Sequence, residues 1–155
     1  MVVVGLQGAG TSTWVQRHPV ATHAVVSTDH RPRARRREAR QRRVVAELPA
    51  AWRSVVVDDS SPSPEERAPL VAAARAAGLP VRAVWVDTPR EECLARVETR
   101  NAAREERARV PLVGVPAARE RFRPPSEDEG FDRVDVVRPG SRAAERRVRP
   151  GGPVR

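Results

Sequence analysis

The sequence contains no lysine. All 29 of its basic residues are arginine, set against 20 acidic ones for a net charge of +9. Any permanently charged basic side chain that meets an acidic ligand must therefore be an arginine. The single cysteine, Cys93, excludes an internal disulfide and any cysteine-cluster metal site. His18, His23 and His30 have no metal-ligand spacing. No apolar run is long enough to suggest a membrane span, and the N-terminus lacks the charged region of a signal peptide. The expectation is a cytoplasmic protein with no membrane partner. Aromatics are scarce: Trp14, Trp52, Trp85, Phe122 and Phe131 are all there are. The core must rest on valine, leucine and alanine.

What is present is short runs of valine and alanine between helical stretches. The 155 residues suffice for one domain with one core. Apolar runs at 2–4, 24–26, 55–57, 81–86 and 134–137 read as buried strands. Helices are expected at 11–17, at about 33–48, and from Ser63, where Ser-Pro-Glu-Glu supplies an N-cap, a proline at the first position and a capping box. Gly78 and Pro80 end that helix. Thr88-Pro89-Arg90-Glu91 repeats the same capping pattern ahead of Cys93, Leu94 and Val97, and a short helix is expected over 116–122. Strands alternating with helices imply right-handed crossovers and a parallel sheet. The expected fold class is α/β: a three-layer α/β/α domain over residues 1–138 with a five-stranded parallel sheet. Residues 139–155 are rich in Arg, Pro and Gly and read as a disordered tail. Gly5, Asp29, Asp58 and Asp87 each follow an expected strand, so all four gather at the carboxyl edge, where open α/β sheets bind ligands.

Residues 5–12, Gly-Leu-Gln-Gly-Ala-Gly-Thr-Ser, match the phosphate-loop pattern G-x-x-x-x-G-K-S/T at every defined position but one. Glycines let backbone N–H groups turn inward around a phosphate, and the following helix adds its dipole. Gly5, Gly8, Ala9, Gly10, Thr11, Ser12 and Thr13 are thus the candidate nucleotide-binding residues. The Ser12 hydroxyl suits Mg²⁺. The lysine that would meet the β- and γ-phosphates is replaced by Thr11. A charged hydrogen bond is worth about 1.5–3 kcal/mol in binding. A charge acting in a phosphoryl-transfer transition state is worth about 10³–10⁵ in rate. Binding would survive the loss far better than turnover. Arg17 and the arginines near Asp29 are candidate substitutes.

Several segments together resemble the small bacterial P-loop kinases related to polynucleotide 5′-hydroxyl kinases, often labelled AAA-family ATPases. They are residues 5–12, Ser27-Thr28-Asp29, the stretch 55–67, the arginines after Cys93, and Phe122-Arg123-Pro124-Pro125 with Glu129-Gly130-Phe131-Asp132. The resemblance covers about residues 1–138. It implies ATP and Mg²⁺ as cofactors, with a nucleotide and either nucleic acid or a small hydroxyl acceptor as partners. It further implies Asp29 as general base and Asp58 or Asp59 near Mg²⁺ and the acceptor. Arg96, Arg100, Arg104, Arg107 and Arg109 would form a helical lid over the triphosphate, with Arg100 and Arg104 the first candidates. The sequence departs from the family at Thr11, at Pro32 in place of an arginine, and at Asp59-Ser60-Ser61 in place of Asn-Thr-Asn. Two functions follow: an ATP-dependent phosphotransferase of impaired activity, or a non-catalytic nucleotide- or nucleic-acid-binding pseudokinase.

Overall fold

The computed structural model describes residues 1–18, 23–27, 54–58, 63–103 and 120–139. The expected helix at 33–48, most of that at 116–122, the lid residues from Arg104 on, and Asp29, Asp59 and the tail from residue 140 lie outside them.

Five strands form one sheet: β1 (Val2–Val4), β2 (His23–Ser27), β3 (Ser54–Asp58), β4 (Arg82–Val86) and β5 (Arg133–Val137). Their spatial order is β2-β3-β1-β4-β5, and every neighbouring pair is parallel. The five-stranded parallel sheet read from the valine runs is therefore present. The helices are α1 (Thr11–Arg17), α2 (Pro64–Ala76) and α3 (Arg90–Ala102), with a 3₁₀ turn at Glu127–Glu129.

The alternation of side chains along a strand divides the core in two. Val2 and Val4 join Val57, Leu70, Val71 and Phe131 on the face covered by α2. Val3 joins Ala9, Trp14, Val84 and Cys93 on the face covered by α1 and α3. Val3 and Val4 are wholly buried. This gives three layers, and the central strand is apolar on both sides, as a sheet covered on both faces requires. Trp14 is a core residue stacked on His18 with ring centroids 4.5 Å apart.

The helix from Ser63 is capped as expected, with Glu66 N–H donating to Ser63 Oγ at 3.4 Å. The second expected cap is a correction. Pro89 is the N-cap residue of α3, and no side chain caps it. The Thr88 hydroxyl, whose oxygen the capping pattern would have accept a helix N–H, instead donates to the Ala9 carbonyl of the 5–12 loop at 2.8 Å. Leu94 is only half-buried, while Cys93, Val97 and Asn101 form the buried stripe of α3.

The segment after residue 120 is held by charge. Arg67, fully buried on α2, makes a two-pronged pair with Glu129, both contacts at 2.7 Å. Glu129 also accepts the Ser126 N–H and closes a capping box on the 3₁₀ turn. Asp132 accepts the Val81 N–H at 2.6 Å and an Arg75 Nη2 bond at 2.8 Å. Phe131 is thereby set into the core ahead of β5.

Two outcomes follow. Arg67→Ala leaves the Glu129 carboxylate, 11% exposed, without its guanidinium. The expected loss is about 3–5 kcal/mol, read from urea denaturation, and Arg67→Met with Glu129→Leu should recover most of it. The Val81 amide, and then Arg75, hold the Asp132 carboxyl below its ordinary range. The folded state therefore binds that proton less tightly than the unfolded chain. The stabilisation is present above the ordinary aspartate value of about 3.9 and is lost as pH falls through the lower folded value. Asp132→Asn should flatten the decline of melting temperature on acidification below about pH 4. An unchanged slope would refute the assignment.

Candidate functional site

The sheet order decides where a ligand can sit. From β1 the chain crosses to β2 on one side, and from β3 it crosses to β4 on the other. The crevice between the carboxyl ends of β1 and β3 is the switch point of the sheet. Residues 5–10 leave β1 at that crevice, and β3 delivers Asp58 to it. Asp58 lies in register with Val3 and is 4% exposed. The predicted phosphate loop and the predicted carboxylate therefore share one edge.

The loop curls as a phosphate nest must. Ala9 N–H donates to Leu6 O at 2.8 Å, closing a turn. Gly8 and Gly10 have φ of 89° and 96°, in the left-handed region where a side chain is strained. Gly8 is constrained twice, because a Cβ there would lie 2.3 Å from the Cys93 carbonyl oxygen of α3. Gly10 is the N-cap residue of α1, which begins at Thr11 with no acidic residue in its first turn. A Cβ on Gly5 would lie 2.9 Å from the Thr11 Cγ2 atom, so the threonine methyl rests against the first glycine of the loop. Thr11 and Ser12 are half-buried and Thr13 is exposed.

Helix α3 contributes more than a wall. Arg96 Nη1 lies 3.4 Å from the Gly8 carbonyl and 3.3 Å from the Ala9 carbonyl. The same Nη1 is 3.6 Å from where a Gly10 Cβ would be. Arg96 Nη2 pairs with Glu92 one turn back. With Thr88, the Ala9 carbonyl thus has two donors from beyond β4. Arg100 follows four residues later in the last turn of α3, half-buried. Asp87, at the end of β4, accepts an Arg138 Nε bond at 3.0 Å, and its N–H donates to Val137 O at 2.8 Å.

The predicted site residues divide accordingly. Gly5, Gly8, Ala9, Gly10, Thr11, Ser12 and Thr13 form one continuous loop and helix start, with Asp58 beside it. Asp29, Asp59 and Arg104 fall outside the described residues. Arg17 sits in the last turn of α1, about 9 Å of helix rise from Thr11, and is exposed. Sequence reasoning missed the role of Thr88, read as a helix cap, and passed over Arg96 in favour of Arg100 and Arg104. No group of three or more His, Cys, Asp or Glu residues able to hold a metal occurs among the described residues. Nor is any described helix long and apolar enough to cross a membrane.

Comparison with known proteins agrees with this fold. Residues 1–125 match the AAA_33 family, described as an AAA domain. Among solved structures, Kti12 of Chaetomium thermophilum, in complex with ADP-AlF3, superposes with a TM-score of 0.70 at 16% identity, covering 95% of this chain and 93% of that one. The APS kinase CysC of Mycobacterium tuberculosis, in complex with AMPPNP and APS, gives 0.59 at 21% identity, with 93% and 91% covered. A fungal RNA kinase gives 0.60 at 18% identity, with 88% and 73% covered. At such identities the likeness establishes a shared P-loop α/β fold. No curated protein matches the chain.

Among the described glycines, the loop geometry makes Gly8 the least replaceable. Gly8→Ala meets both a positive φ and a backbone oxygen, whereas Gly78 has a φ of 68° and nothing within 4 Å of its would-be Cβ. Gly78→Ala should cost about 1–2 kcal/mol, the penalty of the left-handed conformation alone. Gly8→Ala should cost at least about 1–3 kcal/mol more, because α3 must move. Thermal unfolding of the two variants measures the difference, and equal losses would refute the close approach of α3.

Proposed function

Because the chain belongs to the AAA_33 family of AAA domains, we propose that its glycine loop binds the phosphates of ATP and that the protein is a kinase-like phosphotransferase of weakened activity. The observation that carries this reading is the curled 5–10 loop lying beside the buried Asp58 at the switch point of the sheet. Backbone amides would hold the phosphates. Ser12 and Asp58 offer the oxygen donors that Mg²⁺ takes when phosphate and water complete its shell. Such an ion would supply positive charge against the phosphates. Both residues suit that role chemically, since a hydroxyl and one carboxylate are enough for a cation held mainly by its nucleotide.

In this reading the acceptor is a hydroxyl. Asp29 takes its proton, its oxygen bonds to the γ-phosphorus, and the bond from that phosphorus to the bridging oxygen of ADP breaks. Arg100 and Arg104 would stabilise the equatorial charge during transfer. A polynucleotide 5′-hydroxyl or a smaller alcohol both fit this chemistry. The resemblance to polynucleotide kinases and the net charge of +9 favour the polynucleotide.

One observation favours a second reading, a pseudokinase that binds without transferring. The loop position that should reach the β- and γ-phosphates bears a threonine methyl folded against Gly5, with no charge.

Calorimetric titration with ATP and Mg²⁺, followed by γ-phosphate transfer to 5′-hydroxyl oligonucleotides, tests both readings. Binding with slow transfer is the expected result. Thr11→Lys should tighten ATP by about 10- to 100-fold, the value of one charged hydrogen bond. It should raise transfer by about 10³-fold or more. Binding with no transfer in either protein selects the pseudokinase. No binding of ATP would refute both.

A further inference from the structure

Resting on the nucleotide reading above, we propose that Arg96 replaces part of the charge missing from Thr11 by acting through the Ala9–Gly10 peptide. It is a positioning residue of the phosphate nest and does not itself meet the phosphate.

One peptide plane, that of Ala9–Gly10, carries the effect. The Ala9 carbonyl accepts Thr88 Oγ1 at 2.8 Å and Arg96 Nη1 at 3.3 Å, both from the α3 side of the loop. No peptide bond among the described residues is cis. In a trans peptide the C=O and the following N–H point in opposite directions. Two donors pinning the Ala9 oxygen towards α3 therefore turn the Gly10 N–H the other way, into the hollow of the loop. The neighbouring amide of Ala9 is committed to Leu6 O. The orientation of Gly10 N–H thus decides whether this stretch of the nest presents a donor.

Charge adds to orientation. A hydrogen bond from a cationic donor is stronger than a neutral one, and it polarises the peptide that receives it. The Arg96 guanidinium reaches two successive loop carbonyls, those of Gly8 and Ala9. Each withdraws electron density from its own amide, and the Gly10 N–H becomes a better donor to an anion. In a loop with its own lysine this effect would be secondary. Here the loop carries no charge, and the chain has no lysine to supply one.

The arrangement is also held in place. Gly8 lies against the Cys93 carbonyl, so α3 is pressed onto the loop. Glu92 pairs with Arg96 Nη2 and partly neutralises the guanidinium.

The test titrates ADP by calorimetry into the native chain, Arg96→Gln, Arg96→Lys, Thr11→Lys and the Thr11→Lys/Arg96→Gln double variant, with thermal unfolding as the check on folding. Arg96→Gln should weaken ADP about tenfold, and Arg96→Lys should stay within about threefold of native. In the Thr11→Lys background the loss from Arg96→Gln should shrink to about threefold or less, because the loop then carries its own cation. A purely structural role would cost the same in both backgrounds, and that outcome would overturn the proposal. Native-like ADP binding by Arg96→Gln would overturn it too. No ADP binding by the native chain would overturn the nucleotide reading, and this inference with it. Should Arg96→Gln fail to fold, Glu92→Gln decides. Removing the opposing carboxylate should tighten ADP about two- to fivefold, and unchanged or weaker binding would overturn the proposal.

Discussion

The contact on which this molecule is built is the backbone of α3 lying directly on the glycine loop at Gly8. The two chains meet so closely that a single methyl group would collide with a carbonyl oxygen. The approach is possible because the sheet places β4, which feeds α3, next to β1, which feeds the loop. Beneath it, Val3, Ala9, Val84 and Cys93 form a dry cluster with no exposed atoms to speak of. That packing presses the helix down. The left-handed glycines allow the loop to accept it without strain.

From that contact the polar features of the site follow. Once α3 lies on the loop, Thr88 just ahead of its N-cap and Arg96 in its second turn reach the loop carbonyls and find acceptors there. The carbonyls of a curled loop must point outwards if the amides are to point inwards, and outward carbonyls next to a helix need donors. The structure answers both needs with two side chains. The loop is thus supported from the α3 side, at the carbonyls of Gly8 and Ala9.

The opposite face of the sheet is organised by ion pairs. Arg67 and Glu129 sit where apolar side chains would ordinarily suffice, and such buried pairs add specificity more readily than stability. Here they tie the turn ahead of β5 to α2, while Asp132 ties it to the start of β4 at Val81. The result is a fixed edge strand whose end meets Asp87 through Val137, at the same carboxyl edge as the loop.

Much of this was legible in the sequence because it is local. Valine runs and glycine spacing are patterns over a few residues, and they determined the parallel α/β order, the loop at 5–12 and the capping of α2 at Ser63. The sequence also determined that the loop has no lysine. Only the tertiary structure decided which distant side chains reach that loop. Thr88 and Ala9 are 79 residues apart and Arg96 and Gly8 are 88 apart, and they meet because β1 and β4 are neighbours in the sheet. Local pattern assigned Thr88 to its own helix and gave Arg96 no partner on the loop. The physical reason is that a hydroxyl or a guanidinium bonds to whatever acceptor is nearest in space, and strand order, which no short stretch of sequence encodes, sets which acceptor that is.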